Sequence, residues 1–335
     1  MNPSFKTKII GTGHYLPERV MTNQEIAKLV DTNNEWIVER TGIQERRIAD
    51  PNKDFPSHMA YMASQMAIKN AGVDPNEIDL ILMSVTIPDF FFPNTSSVLQ
   101  ELLGITNQCA CLDISAACTG FIYGFTLANS LIKVGQFKNI LLIGCEMTSR
   151  FNNWEDRNSC ILFGDGCGAV LLTASQDPNK DSSDFYKSIL SSDSSKKDAL
   201  ILKAGGSRQP ITKEILEQRA QFVSMDGQQV FKAAVKTMAS HCENVIKNSD
   251  MTIDDIDWFI PHQANLRIIE AVGNRMNFPS EKVIVNVHKY ANTSSASIPI
   301  ALSEAVEAGK IKQGDNILMA AFGGGLTSGA ITLKY

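Results

Sequence analysis

The stretch Ala110-Cys111-Leu112-Asp113-Ile114-Ser115-Ala116-Ala117-Cys118-Thr119-Gly120-Phe121 passes from a short apolar run, through small residues, to a cysteine. Beyond it, apolar residues recur at Phe121, Phe125, Ala128, Leu131 and Ile132. Steps of three and four mark one face of a helix, and the run before them reads as a buried strand. A strand feeding directly into a helix is the building unit of an α/β fold. Cys118 falls at the junction, where free backbone N–H groups and the positive end of the helix dipole favour a thiolate. An unperturbed thiol has a pKa of about 8.5, so without such help little of it is nucleophilic at neutral pH. Ser115, Ala116 and Ala117 are small and leave room for a substrate to reach the sulfur. A buried structural cysteine is the alternative reading of the same residues.

The chain has 335 residues, 44% hydrophobic and 20% charged, enough for one large core or two halves. A net charge of −5 gives no basis for nucleic-acid binding, so an acidic partner would have to meet a local basic patch. No apolar run approaches the ~18 residues of a membrane span. Residues 1–6 lack the apolar core of a signal peptide. The seven cysteines (Cys109, Cys111, Cys118, Cys145, Cys160, Cys167 and Cys242) are odd in number and sparse. They read as reduced thiols of a cytoplasmic protein. Cys109 and Cys111 alternate along a strand without the further ligands that zinc requires, so both read as core and no metal is expected.

Lys8-Ile9-Ile10-Gly11-Thr12-Gly13-His14-Tyr15-Leu16 reads as a strand ending in a glycine turn. A dinucleotide fingerprint would need glycine where Leu16 stands, so that reading fails. Helices are expected at 23–30, 34–41, 58–71 and up to 103, and strands at 78–85, 139–144 and 164–173. The chain also echoes itself. Glu77-Ile78-Asp79-Leu80-Ile81-Leu82 is answered by Asp255-Ile256-Asp257-Trp258-Phe259-Ile260, and Asn139-Ile140-Leu141-Leu142 by Asn316-Ile317-Leu318-Met319, at nearly equal separations. Gly166-Cys167-Gly168-Ala169-Val170-Leu171 finds its counterpart in Thr327-Ser328-Gly329-Ala330-Ile331-Thr332. The echo predicts two copies of an α/β unit, residues 1–174 and 215–335. Residues 175–214, rich at their start in Ser, Asp and Lys, read as the exposed connection. In this register Cys118 and Asn292 both fall between the third strand and third helix of their halves.

His262 closes the apolar run Trp258-Phe259-Ile260-Pro261 at the carboxyl end of a strand, where α/β folds place ligands. A structural histidine is the competing reading. Asn292 lies in Ala291-Asn292-Thr293-Ser294-Ser295-Ala296-Ser297, a helix start in which an asparagine is ordinarily a cap. Gly323-Gly324-Gly325 implies a close backbone approach, since three glycines weaken a strand for no packing gain. Together with the Cys118 stretch, these segments resemble the β-ketoacyl-acyl-carrier-protein synthase III family of the thiolase superfamily, over nearly the whole chain.

The resemblance implies a five-layered αβαβα sandwich of two duplicated halves. It implies that Cys118 takes an acyl group from an acyl-CoA, and that His262 and Asn292 then assist decarboxylation of malonyl-acyl-carrier protein. The amides of Cys118 and Gly324 would form the oxyanion hole. Trp36 and Arg40 match the pair that stacks on the adenine of coenzyme A. Thr41, Arg157, Asn158, Met225, Gly227, Phe231, Ala264 and Asn265 match positions along the pantetheine channel. Lys232, Arg267 and Arg275 are candidates for docking an acidic carrier protein. Phe92, in the aromatic run Phe90-Phe91-Phe92-Pro93, matches a residue that closes the acyl pocket of a partner subunit. The bland alternative anchors one or two of those rings in the core. The family implies a homodimer, coenzyme A as substrate and no cofactor. Asn292, where elongating relatives carry histidine, points to the initiating type of fatty-acid synthesis. A secondary-metabolism relative with another acceptor, or an inactive partner subunit, are the other readings. Ala291 departs from the usual glycine and Ser328 from a common tryptophan, which bears on pocket shape.

Overall fold

The computed structural model describes residues 5–175 and 184–335. In chain order the strands are β1 (Lys6–Tyr15), β2 (Arg19–Thr22), β3 (Glu45–Ile48), β4 (Leu80–Ser84), β5 (Ala110–Ile114), β6 (Asn139–Met147), β7 (Asp165–Ser175), β8 (Asp184–Ser192), β9 (Leu200–Leu202), β10 (Val223–Met225), β11 (Trp258–Pro261), β12 (Asn316–Gly323) and β13 (Thr327–Lys334). Among the described residues one sheet runs β1-β7-β6-β4-β5 and a second β11-β12-β13-β8. Val283 makes a parallel bridge to Phe259 of β11, in the place that β5 takes beside β4. With that bridge counted, both halves share one strand order, so the echo in the sequence is a duplication of topology.

Period-two burial on both faces explains why the central strands are almost wholly apolar. On β4, Leu80 and Leu82 enter the middle core while Ile81 and Met83 enter an outer one. On β12, Ile317, Met319 and Ala321 face the middle, and Leu318, Ala320 and Phe322 face the opposite outer layer. The helices Gly120–Lys133 and Ser297–Glu307 fill the middle layer with Phe121, Phe125, Ala128, Ile132, Ile298, Ala301 and Leu302. The helix Pro56–Ala71 covers the first sheet, and Gly227–Asn248 with Leu266–Arg275 covers the second. This gives the five layers αβαβα. Each large apolar side chain fully buried in them stabilises the fold by about 1.5–3 kcal/mol.

The stretch expected as an exposed connection needs correction. β8 lies within it and is the edge strand of the second sheet, paired with β13 from Ser192↔Thr327 to Asp184↔Lys334. The second half therefore begins well before residue 215. β8 reads as a loop because, of its nine residues, only Phe185 is buried; an edge strand needs little apolar content. Residues 176–183, the remainder of that connection's start, lie outside the described residues, as do residues 1–4. The helix expected at 23–30 is a single turn, Asn23–Ile26, capped by Thr22. The one at Asn34–Thr41 forms as expected.

An excursion containing β2, β3 and the Asn34–Thr41 helix is pinned to the body by Arg46, which is fully buried. Its guanidinium donates to the Met21 carbonyl (3.2 Å), Asn23 Oδ1 (2.9 Å) and the Ile161 carbonyl (3.0 Å). The start of the Ser297–Glu307 helix is seated by glycines on the first sheet. A Cβ on Gly144 of β6 would lie 2.5 Å from the Ser295 carbonyl oxygen. Gly144→Ala should therefore push the 294–296 turn off the sheet and lower stability by about 1–3 kcal/mol, the usual cost of overpacking. Chemical denaturation would measure it, and a wild-type midpoint would mean that the turn can give way freely.

Candidate active site

Cys118 sits in a 3-10 turn, Ala117–Thr119, between β5 and the Gly120–Lys133 helix. The end of β12 presses against it: a Cβ on Gly323 would stand 2.9 Å from both the Cys118 Cβ and its amide nitrogen. This is the close approach that the glycine run implied. Gly325, at φ 69°, then turns the chain into β13. Burial pushes the Cys118 thiol up to about 11, outweighing the Ser294 hydroxyl and the Cys118 and Gly324 amides, which favour the anion. The thiolate expected at a helix start is thus not the resting form. Desolvation outweighs the helix-start amides here.

His262 follows β11, with its N–H donated to the Ala320 carbonyl (2.8 Å). Its Nδ1 lies 2.7 Å from the Ser297 hydroxyl, which also accepts the Gln263 N–H at 3.3 Å. The Ser297 hydroxyl thus stands between the His262 ring and the Gln263 backbone and fixes the plane of the imidazole. Burial depresses the imidazole to about 4, so the ring is neutral. Asn292 is held by backbone bonds to Leu162 and from Gly164. Its Oδ1 accepts the Ser294 N–H at 2.8 Å, which assigns the amide's two N–H groups to the other side. The expected cap is therefore a local turn instead: Thr293, not Asn292, stands at the cap position of the Ser294–Ala296 turn. Ala291 before it has φ 57° and ψ −154°, a conformation that glycine adopts freely and that costs alanine on the order of 1–3 kcal/mol.

Cys118, His262 and Asn292 line one cavity of about 130 Å³, walled by Phe163, Phe322 and Ala264. The cavity opens into a groove of about 760 Å³ that shares Leu162, Met225, Gly227, Phe231 and Asn265 with it. Trp36, Arg40, Thr41, Asn158, Lys232 and Arg267 line the groove. The guanidinium carbons of Arg40 and Arg157 each lie 4.7 Å from the Trp36 ring centroid. Asn265 donates to the Arg40 carbonyl (3.1 Å) and ties the two banks together. Arg275, at the far end of its helix, is exposed and does not line the groove. On the other side of Cys118 a pouch of about 90 Å³ is walled by Thr86, Phe151, Leu200, Leu202, Val223 and Ser294. Phe92 is 87% exposed and is not part of that wall within the chain; Phe90 and Phe91 are exposed as well, so the core-anchored reading of the run is not met. Ser328 pairs with Ser191 (2.9 Å) and lines neither cavity nor pouch.

Sequence reasoning missed the pouch walls from β9 and β10, which lie in weakly patterned segments. It also missed Glu146, Ser294 and Ser297, which surround the site. Glu146 left a signal, as the one charge inside the apolar β6 run Asn-Ile-Leu-Leu-Ile-Gly-Cys-Glu-Met. All seven cysteines carry free thiols. Among the described residues no helix is long and apolar enough to cross a membrane.

Family models described as 3-oxoacyl-[acyl-carrier-protein (ACP)] synthase III and its C terminal match residues 112–194 and 246–335 respectively. The chain is 44% identical over 331 residues to the β-ketoacyl-[acyl-carrier-protein] synthase III of Syntrophomonas wolfei, covering 98% of each. The crystal structure of 3-oxoacyl-[acyl-carrier-protein] synthase III from Aquifex aeolicus matches with a TM-score of 0.89 at 44% identity, over 98% of this chain and 100% of that one. The priming β-ketosynthase of the R1128 polyketide pathway matches with a TM-score of 0.90 at 32% identity, over 100% and 98%. Fold, sequence and the cavity at Cys118 agree: the chain belongs to the β-ketoacyl-acyl-carrier-protein synthase III family of condensing acyltransferases.

Proposed function

We propose that the protein condenses a short acyl-CoA primer with malonyl-acyl-carrier protein, giving a 3-oxoacyl-acyl-carrier protein at the start of fatty-acid synthesis. The observation that carries the reading is the convergence of Cys118, His262 and Asn292 on one cavity at the end of a groove with a cation-flanked tryptophan. Coenzyme A would lie along the groove, its adenine against Trp36 and its phosphates near Arg40 and Arg157. Cys118 takes the acyl group as a thioester. Malonyl-carrier protein then docks through Lys232, Arg267 and Arg275. His262 Nε2 and Asn292 Nδ2 donate to the malonyl thioester carbonyl while carbon dioxide leaves. The enolate attacks the acyl-cysteine, and the amides of Cys118 and Gly324 hold the oxyanion. No metal or redox cofactor takes part, and the enzyme works in the cytoplasm as a homodimer. Incubation with a panel of acyl-CoAs followed by malonyl-carrier protein, read by intact mass, tests this. The enzyme should gain one acyl group and lose it again to the carrier. No gain with any acyl-CoA would refute the reading.

The narrow pouch beside Cys118 supports a short primer. In the dimer, Phe92 of each subunit would reach the partner's pouch and stop the acyl chain, a use for a ring otherwise left in water. Phe92→Ala is then expected to shift preference toward longer primers, several-fold to a hundredfold, by relieving about 1–3 kcal/mol of overpacking. Acetyl transfer should persist. Competition between acyl-CoAs of different length would show it. An unchanged length profile in a dimeric variant would instead assign the limit to Phe151 and Leu202.

A further inference from the structure

Glu146 is a fully buried carboxyl group that the condensation chemistry leaves unused. Its described hydrogen bonds all come from neutral donors. The Thr86 N–H donates to Oε2 (3.2 Å), and the hydroxyls of Thr86 (3.0 Å), Ser294 (3.2 Å) and Ser295 (2.8 Å) donate to Oε1. A carboxylate so placed is held by hydrogen bonds against a large desolvation cost. Burial accordingly lifts it to about 7, with Ser295, Thr86 and Ser294 pulling the other way. The Ser294 hydroxyl also lies 3.5 Å from Cys118 Sγ. Ser294 takes φ 50°, a left-handed conformation that a side-chain-bearing residue adopts only where its surroundings enforce it. Sγ, Oγ and Oε1 thus form a continuous chain. The neighbouring ionisable groups on these strands, Cys145 next to Glu146 on β6 and Asp165 opposite Met147 on β7, alternate to the other face of the sheet, and burial raises both.

We propose that Ser294 and Glu146 carry the Cys118 proton during acylation. The inference rests on Cys118 being the acyl carrier. As the sulfur lone pair forms the C–S bond to the thioester carbonyl carbon, the S–H bond breaks. Its proton passes to Ser294 Oγ while the Ser294 proton passes to Glu146 Oε1. The tetrahedral intermediate collapses by breaking the bond to the coenzyme A sulfur. The proton then returns from Glu146 through Ser294 to that departing thiolate, so Glu146 ends ionised as it began. Ser294 touches the reacting sulfur; Glu146 is the positioning residue behind it. His262 is a poor acceptor for this proton, since burial opposes the imidazolium.

Two rates test the path in wild type, Glu146→Gln and Ser294→Ala, each from about pH 6 to 9. One is acetylation by acetyl-CoA in a rapid-quench experiment. The other is alkylation by iodoacetamide, assigned to Cys118 by peptide mass, which needs no acyl-CoA. In wild type both should rise through about pH 7 and level off. Glu146→Gln and Ser294→Ala should each slow both by about a hundredfold and remove that rise, and the double variant should be no slower than either. A merely structural role would lower the melting temperature without moving the pH profile. A merely electrostatic role would have the opposite sign, because removing a nearby negative charge eases thiol ionisation. Unchanged or faster alkylation in folded Glu146→Gln therefore overturns the proposal. If that variant does not fold, Ser294→Ala decides in the same way. Failure of acetyl-CoA to label any form would refute the acyl-carrier reading, while the alkylation profile would still decide the proton path.

Discussion

Cys118→Ser is expected to abolish acyl transfer from acyl-CoA, by at least about a thousandfold, with little change in stability. The substitution keeps the volume of a side chain buried between β12 and the Ser294 turn, so the turn, the groove and the two flanking amides should stay in place. What it removes is the polarisable sulfur. The site already works against its nucleophile by burying it, and a hydroxyl, far less acidic than a thiol, would bear that burden worse. Intact mass after acetyl-CoA should show one added acetyl on wild type and none on the variant. The other thiols provide the control. Cys160 is held up to about 11 by burial, and Cys242 and Cys145 are raised by burial too. Cys111 is the exception, a half-buried thiol lowered by the hydrogen bond from Cys109. It lies outside the cavity, so reagents that seek any thiolate should still mark it in Cys118→Ser whereas acetyl-CoA should not. Acetylation of Cys111 or any other cysteine at the wild-type rate would remove Cys118 from its role.

Where the sequence could be read, the determinants were local. The turn at Cys118 follows from a strand run, three small residues and a helical period within one short stretch. His262 follows from its place after an apolar strand, and the duplication from a repeated acidic-apolar signature before β4 and β11. What stayed hidden depends on distant packing. β8 carries no period of its own because it buries one side chain at a sheet edge. The third strand of the second half shrinks to the single bridge at Val283. The ionisation of Cys118 is not legible in the sequence, because the helix dipole shows in the pattern whereas desolvation depends on what β12 and the Ser294 turn bring over the sulfur. Ser294 itself is one hydroxyl among several in a serine-rich segment. Only the fold distinguishes it, by giving its N–H to Asn292 and setting its hydroxyl between Cys118 and Glu146.

The second large effect divides the reaction in two. His262→Ala and Asn292→Ala should each reduce condensation by a hundredfold or more, which is about the loss seen when one donor to a developing oxyanion is removed. Acylation of Cys118 should fall far less, because neither residue is needed to take the thiol proton. The two variants should differ in stability. Asn292 Oδ1 satisfies the buried Ser294 N–H, and its loss should cost about 1–3 kcal/mol. Replacing His262 leaves the Ser297 hydroxyl, which keeps the Gln263 N–H as a partner. Asn292→Asp separates the functions, since a carboxylate preserves the acceptor for Ser294 while removing the donor to the enolate. It should condense no better than Asn292→Ala although it keeps the acceptor for the Ser294 N–H. Because burial holds His262 near 4, the ring stays neutral above about pH 5 and its Nε2–H donates without a change of charge. Decarboxylation by pre-acylated enzyme should therefore be flat in pH across the range where acylation rises with Glu146. Radiolabelled malonyl-carrier protein, followed as released carbon dioxide, measures that step alone. If His262→Ala kept decarboxylation and lost acylation, the histidine would be the base for Cys118, and the division of labour between His262 and Glu146 would be reversed.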